Sequence, residues 1–275
     1  MEELEHVVVA VQKSPTHRHI ARALIARLAA IESAKRGSPP DGREKEIIKA
    51  VKNKLHQTVG AFVEGRPDYK KALRALAAAA REEDAVAREE RIRAVLQQAM
   101  QFHASTRERL PFLESFYRDA LRDISPPGRV LDLACGLNPL ARPWLGIPDE
   151  AEYLACDVRA DLTEFVNGVF AACGWKGRAF VRDLLSDEPL PKADAVLLLK
   201  TIPCLEQVEK DAGARLLARL DAPHAVVSFP GKSLGGREKG MRENYAAHFL
   251  GMLEGTGWKQ RNFVIGEELV FVLSR

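Results

Sequence analysis

Arg129-Val130-Leu131-Asp132-Leu133-Ala134-Cys135-Gly136 is a short apolar strand pattern that runs straight into a glycine turn. The strand pattern recurs downstream at intervals: Tyr153 to Cys156, Arg178 to Val181, Ala193 to Leu199 and Ala225 to Phe229. Helix-length segments separate these runs, among them Leu162 to Cys173 and Glu206 to Leu220. Strands alternating with helices imply an α/β domain with a mostly parallel, doubly wound sheet, whose ligands sit at the carboxyl ends of the strands. Gln260 to Ile265 and Glu268 to Leu273 are spaced as a closing hairpin.

Upstream of Pro126-Pro127-Gly128 no segment reads as a strand. Thr16 to Ala34 carries a 3.6-residue stripe through Ile20, Leu24, Leu28 and Ile31, with Thr16 placed to cap it. Residues 36–42 are a breaker, and Glu46 to Val59 resumes the helical pattern. Tyr69 to Ala80 and Ala85 to Met100 are rich in strong helix formers, and Ser105-Thr106-Arg107-Glu108 has the form of a capping box opening another helix. The expected organisation is an all-helical domain over residues 1–125 and the sheet domain over 126–275.

Composition narrows the class. With 46% hydrophobic and 29% charged residues, the 275-residue chain has ordinary globular character, which excludes wholesale disorder. Its longest aliphatic strand-like run, Ala195 to Leu199, falls far short of the ~20 apolar residues a membrane span needs. The acidic start Met1-Glu2-Glu3-Leu4-Glu5 is not a signal peptide. Four cysteines without CxxC spacing (Cys135, Cys156, Cys173, Cys204) suit neither a disulfide framework nor structural zinc, and fit a reducing cytoplasm.

The net charge of +3 is unevenly spread. Residues 1–80 hold 15 Lys/Arg against nine Asp/Glu, 81–128 hold eight against nine, and 129–275 hold 18 against 20. A basic helical appendage on a near-neutral body points to a polyanionic partner.

The glycine at the end of the first strand lets a ligand approach the backbone closely. Asp157 ends the second strand, 21 positions after Gly136, where a carboxylate accepts both hydroxyls of a ribose. Asp183 ends the third, placed to accept an adenine amine. Acids at successive strand ends are poorly explained as solubilising charge, and together they point to a nucleoside cofactor. NAD and S-adenosylmethionine both fit. A dinucleotide needs later glycines to seat its pyrophosphate on a helix N-terminus, and Leu137-Asn138-Pro139-Leu140 stands there instead. S-adenosylmethionine has no phosphate and tolerates that turn.

Asp132 to Leu140 resembles the first motif of the aminoglycoside-resistance methyltransferases that modify guanine N7 in the decoding site of 16S ribosomal RNA. The likeness extends through His103 to Arg109, Leu197 to Glu206, Ser228 to Arg237 and Lys239 to Tyr245. It covers residues 100–275 well, whereas residues 1–100 match in helical, basic character and in Lys54-Leu55-His56. The resemblance implies a Rossmann-like methyltransferase domain behind a helical, RNA-docking one. Its substrate would be the 30S subunit, with no membrane or DNA partner. By the family pattern, Arg109 would hold the S-adenosylmethionine carboxylate, with Gly136, Asp157, Val158, Asp183 and Leu184 lining the cofactor.

Guanine N7 carries an in-plane lone pair and no proton, so methylating it needs alignment and electrostatics more than a base. No Ser-His-Asp arrangement stands in the sequence. Lys200, at the end of the fourth strand pattern, and Arg237 are the expected base-side residues. Lys232, Lys239 and Arg242 share a glycine-rich basic loop with Arg237, suited to RNA phosphates or a guanine edge. Lys49, Lys52 and Lys54 are the expected phosphate contacts of the helical domain. Two alternatives stand beside this reading. Pro203-Cys204 would serve a cytosine-C5 methyltransferase through a covalent thiolate, and a non-catalytic ribosome-binding protein would need only the basic surface.

Overall fold

The computed structural model describes residues 4–36, 43–63, 65, 67–231 and 240–275. Among the described residues, seven α-helices come first: α1 (Glu5–Gln12), α2 (Arg22–Ala34), α3 (Glu44–Thr58), α4 (Tyr69–Ala79), α5 (Ala85–Met100), α6 (Ala104–Arg109) and α7 (Leu113–Leu121). The sheet half comprises β1 (Arg129–Leu133), β2 (Glu152–Asp157), α8 (Ala160–Cys173), β3 (Gly177–Val181), β4 (Ala195–Leu199), α9 (Ile202–Glu206), α10 (Ala212–Ala218), β5 (His224–Pro230), α11 (Met241–Leu253), β6 (Lys259–Ile265) and β7 (Glu268–Ser274). Sheet order is β3-β2-β1-β4-β5-β7-β6. The first five strands are parallel, and β7 runs antiparallel between β5 and β6. This is the doubly wound, Rossmann-like arrangement expected, with the predicted hairpin closing one edge.

Local chemistry explains the elements. All five residues of β4 are buried, as a central strand covered on both faces requires of Ala195-Val196-Leu197-Leu198-Leu199. Asp68 and Asp84 cap α4 and α5 by accepting from the backbone N–H groups of Lys71 and Ala87. One face of the sheet packs on α4, α5, α7 and α8 through Leu76, Leu96, Phe116 and Val166. The other packs on α9, α10 and α11 through Ile202, Leu216 and Phe249. Helices α1 to α3 keep a core of their own, built on Val11, Ile25, Leu28, Val51 and Leu55, which Leu185 and Ala212 join from the sheet half. Each such Val, Leu, Ile or Phe side chain contributes roughly 1.5–3 kcal/mol on burial.

Three expectations need correction. The helix expected over Thr16 to Ala34 starts only at Arg22, after a turn, and α1 precedes it unannounced. Tertiary pairing overrides the stripe: Ala21 N–H donates to Val158 C=O at 2.7 Å and Ala160 N–H to His19 C=O at 2.8 Å. The Ser105–Glu108 capping box does not form, because α6 begins at Ala104 and the Thr106 hydroxyl donates backwards to Met100 C=O at 2.7 Å. The single helix expected over Glu206 to Leu220 is two, α9 and α10. Their connection offers Gln207 C=O to Lys54 and the Glu209 carboxylate to Arg27.

Candidate active site

The carboxyl ends of β1, β2 and β4 open into a cleft. Its floor comes from Ala134, Asp157, Val158, Lys200 and Thr201, and Cys204 stands on one side. The roof is unexpected. It is the end of α3 and the 3-10 turn after it, through Thr58, Val59, Phe62 and Val63, with His103 beside them.

Among the described residues, two non-glycines take left-handed backbone, Ala134 (φ 51°) and Lys200 (φ 58°), and both line this cleft. Such strain costs on the order of 1 kcal/mol or more apiece and concentrates at functional sites. Gly136 (φ 51°) is obligatory, since a Cβ there would sit 2.6 Å from the His103 ring. Its N–H donates to one oxygen of Asp157 at 3.1 Å, while Arg159 N–H donates to the other at 3.0 Å. Burial raises the Asp157 carboxyl, against the pull of these two backbone donors. The carboxylate is thereby oriented at the cleft floor with lone pairs left for further donors.

His103 stacks on Phe62 with ring centroids 6.1 Å apart. Burial, then the cations Arg159, Arg109 and Lys200, push its ring down to about 4, so it is neutral at pH 7. Burial pushes the Cys204 thiol up to about 12. Neither a thiolate nor an imidazolium is therefore on offer from these two side chains at neutral pH.

Behind the floor lies a buried polar network. The Arg109 guanidinium donates to Glu268 at 2.7 and 3.3 Å and to Asn138 Oδ1 at 2.9 Å, and lies 4.4 Å from the Phe116 ring centroid. Asn138 also accepts from Tyr117 and donates to Asp132, which accepts from Tyr153 at 2.8 Å. Burial raises the Asp132 carboxyl to about 7, against those hydrogen bonds. Lys200 Nζ is 2.6 Å from Glu108 and 3.6 Å from Glu268.

The sequence-derived residues divide accordingly. Asp157, Val158 and Lys200 line the cleft, and Gly136 bonds to its floor. Arg109 is buried behind it, close enough to lower the His103 pKa. Asp183 is buried too, accepting from Arg27 Nε at 3.1 Å and from Leu185 N–H at 3.0 Å, and Leu184 packs in the sheet core. Arg242, at the start of α11, pairs with Glu267 at 3.1 Å. Lys232, Arg237 and Lys239 lie outside the described residues. On α3, Lys49 is exposed and Lys52 partly so, whereas Lys54 Nζ donates to Gln207 C=O at 3.1 Å. Sequence reasoning missed Glu268, Asn138 and the roof. A lone carboxylate opening the apolar strand Glu268-Leu269-Val270-Phe271-Val272-Leu273 was the available signal for the first. No local signal marks the roof, because tertiary docking of α3 makes it.

A Rossmann-like sheet whose second strand ends in an oriented carboxylate, beside a glycine turn without phosphate-seating glycines, is the arrangement of a methyltransferase of the S-adenosylmethionine-dependent class. Within that class the chain belongs to the ribosomal RNA methyltransferase (FmrO) family, whose model matches residues 13–272. It is 39% identical over 276 residues to the 16S rRNA (guanine(1405)-N(7))-methyltransferase of Micromonospora echinospora, covering 100% of this chain and 97% of that one. The Serratia marcescens enzyme of the same name is 32% identical over 272 residues, covering 99% and 98%. Among solved structures, the 16S rRNA methyltransferase RmtF in complex with S-adenosyl-L-homocysteine superposes with a TM-score of 0.81 at 34% identity, covering 100% of this chain and 99% of that one. The 16S rRNA methylase RmtB gives 0.78 at 28% identity, covering 99% and 98%.

Proposed function

We propose that this protein methylates N7 of one guanine in the decoding site of 16S rRNA within the assembled 30S subunit, in the cytoplasm, and so confers aminoglycoside resistance. The observation that carries the reading is a cofactor-type cleft whose histidine and cysteine are both neutral. A neutral, half-buried His103 and a thiol held near 12 offer no thiolate nucleophile at pH 7, and guanine N7 needs none. Cytosine-C5 chemistry needs the thiolate that burial opposes at Cys204. The relatives named above carry the guanine-N7 activity in their names, which supports the same choice.

The residues fit the donor. Asp157 offers oriented acceptors for two ribose hydroxyls, and Gly136 leaves room where a Cβ would collide. Arg109 is retained on the side of the methionine carboxylate, its guanidinium bonded to Glu268 and Asn138 behind the floor. S-adenosylmethionine, when bound, supplies an electrophilic methyl on a sulfonium. Lys200, at the cleft, faces the entering base, and Arg237, Lys232, Lys239 and Arg242 are assigned to the RNA side. We retain Asp183 and Leu184 on the adenine side, where the Arg27 pair holds the Asp183 carboxylate in one orientation.

The helical domain docks on RNA. Lys45, Lys49, Lys52 and His56 share one face of α3, opposite the buried Ile47, Val51 and Leu55. His17 lies near enough to Lys52 and His56 for both to lower its pKa after burial does. Labelled methyl transfer to purified 30S subunits and to protein-free 16S rRNA tests the proposal. Transfer to the subunit is expected, and absence of transfer to either RNA form contradicts it.

A further inference from the structure

Lys200 is a long, flexible side chain on a strained residue, and its usefulness at the cleft depends on what holds it. Its backbone is held by Ser228: Lys200 N–H donates to Ser228 C=O at 2.9 Å and to Ser228 Oγ at 3.1 Å. Its ammonium stands between two carboxylates of opposite character. The Glu108 side chain is 50% exposed, while that of Glu268 is 1% exposed. Glu268 is fixed from every side: Arg109 bonds both of its oxygens, and Ser228 Oγ donates to Oε1 at 2.5 Å. Burial alone would raise its carboxyl, but Arg109 and then Lys200 more than offset that, so it is ionised at neutral pH.

Charge and geometry divide the labour. A half-exposed partner can be exchanged for an incoming phosphate or base edge, and a fully buried one cannot. Removing the buried carboxylate would leave two cations facing each other in low dielectric. We propose that Glu268 is a positioning residue for methyl transfer, the fixed counter-ion that holds the Lys200 ammonium at the cleft while Glu108 gives way to substrate. Ser228 orients both the Lys200 backbone and the Glu268 carboxylate, tying together the ends of β4, β5 and β7. The proposal rests on the assignment of Lys200 to the base side.

Single-turnover methyl transfer to saturating 30S subunits, run with Glu268→Gln, Lys200→Met and the double variant, tests it, with S-adenosylhomocysteine titration and thermal melting alongside. Each single variant is expected to be slowed by about tenfold or more, and the double to be no slower than the slower single, as coupled residues require. A merely structural Glu268 would lower the melting temperature while its rate loss multiplied with that of Lys200→Met, which overturns the proposal. So does a folded Glu268→Gln of wild-type rate beside a slow Lys200→Met. A Lys200→Met enzyme at full rate overturns the base-side assignment itself, and this inference with it. Should Glu268→Gln fail to fold, Ser228→Ala decides: it is expected to slow transfer by roughly threefold or more in the wild-type background and not in Lys200→Met, and a full rate in the wild-type background counts against the proposal.

Discussion

Asp157 receives one N–H from the turn after β1 and another from the residue that caps α8, so its carboxylate orientation is set before any ligand arrives. Preorganisation of this kind makes the acceptor worth more than a free carboxylate. Asp157→Ala is therefore expected to weaken S-adenosylmethionine binding by ~1.5–3 kcal/mol, the range for losing a charged hydrogen-bond partner. Calorimetry on the folded variant checks this, and unchanged affinity would remove Asp157 from the site. His103 makes a second prediction. Its folded pKa lies near 4 and its unfolded value near 6.5, so between those values the unfolded chain binds a proton that the folded chain does not. Stability is thus present above about pH 6.5 and lost as pH falls towards 4, by up to about 3 kcal/mol. Asp132, raised to about 7, acts in the opposite sense over its own range, so the readout is the difference between wild type and His103→Gln. Denaturant melts across pH 4 to 7 should converge at low pH if His103 carries the effect, and a constant difference denies it.

At the scale of elements, α3 has two jobs on one rod. Its lysine face is turned outward, and its last turn with the 3-10 turn behind it roofs the cleft. Charge reversal at Lys49 and Lys52 is expected to weaken 30S binding and flatten its salt dependence, by roughly one unit of slope for each phosphate no longer neutralised. Affinity for S-adenosylhomocysteine should stay put, because neither lysine lines the cleft; a fall in that affinity with unchanged 30S binding would reverse the assignment. The strands and the strand-end positions of Gly136 and Asp157 were legible in the sequence because short apolar runs, period and spacing are local properties. The late start of α2, the break between α9 and α10 and the α3 roof were not, because each answers to a partner far away along the chain. The Asp183 carboxylate shows the same limit: its strand-end position was readable, and its buried bond to Arg27 of α2 was not.

At the scale of the whole molecule, the helical half and the sheet half share the site. Backbone pairing of residues 19–21 with 158–160, the Arg27–Asp183 bond and the roof all join α1–α3 to the ends of β2 and β3. The sheet supplies a floor of fixed dipoles and charges, the helices close it over, and its histidine and cysteine are both held neutral at pH 7. Such a site suits a nucleophile that brings its own lone pair. Methylation at guanine N7 leaves a fixed positive charge on the imidazole ring, which makes the strand cleavable by borohydride and aniline. The decisive measurement is that cleavage on 16S rRNA from 30S subunits treated with the enzyme and S-adenosylmethionine, run in parallel with Cys204→Ser. The expected result is scission at one guanine of the decoding region with both proteins. Intact rRNA carrying a methylated cytosine, together with a folded, cofactor-binding and inactive Cys204→Ser, would contradict it.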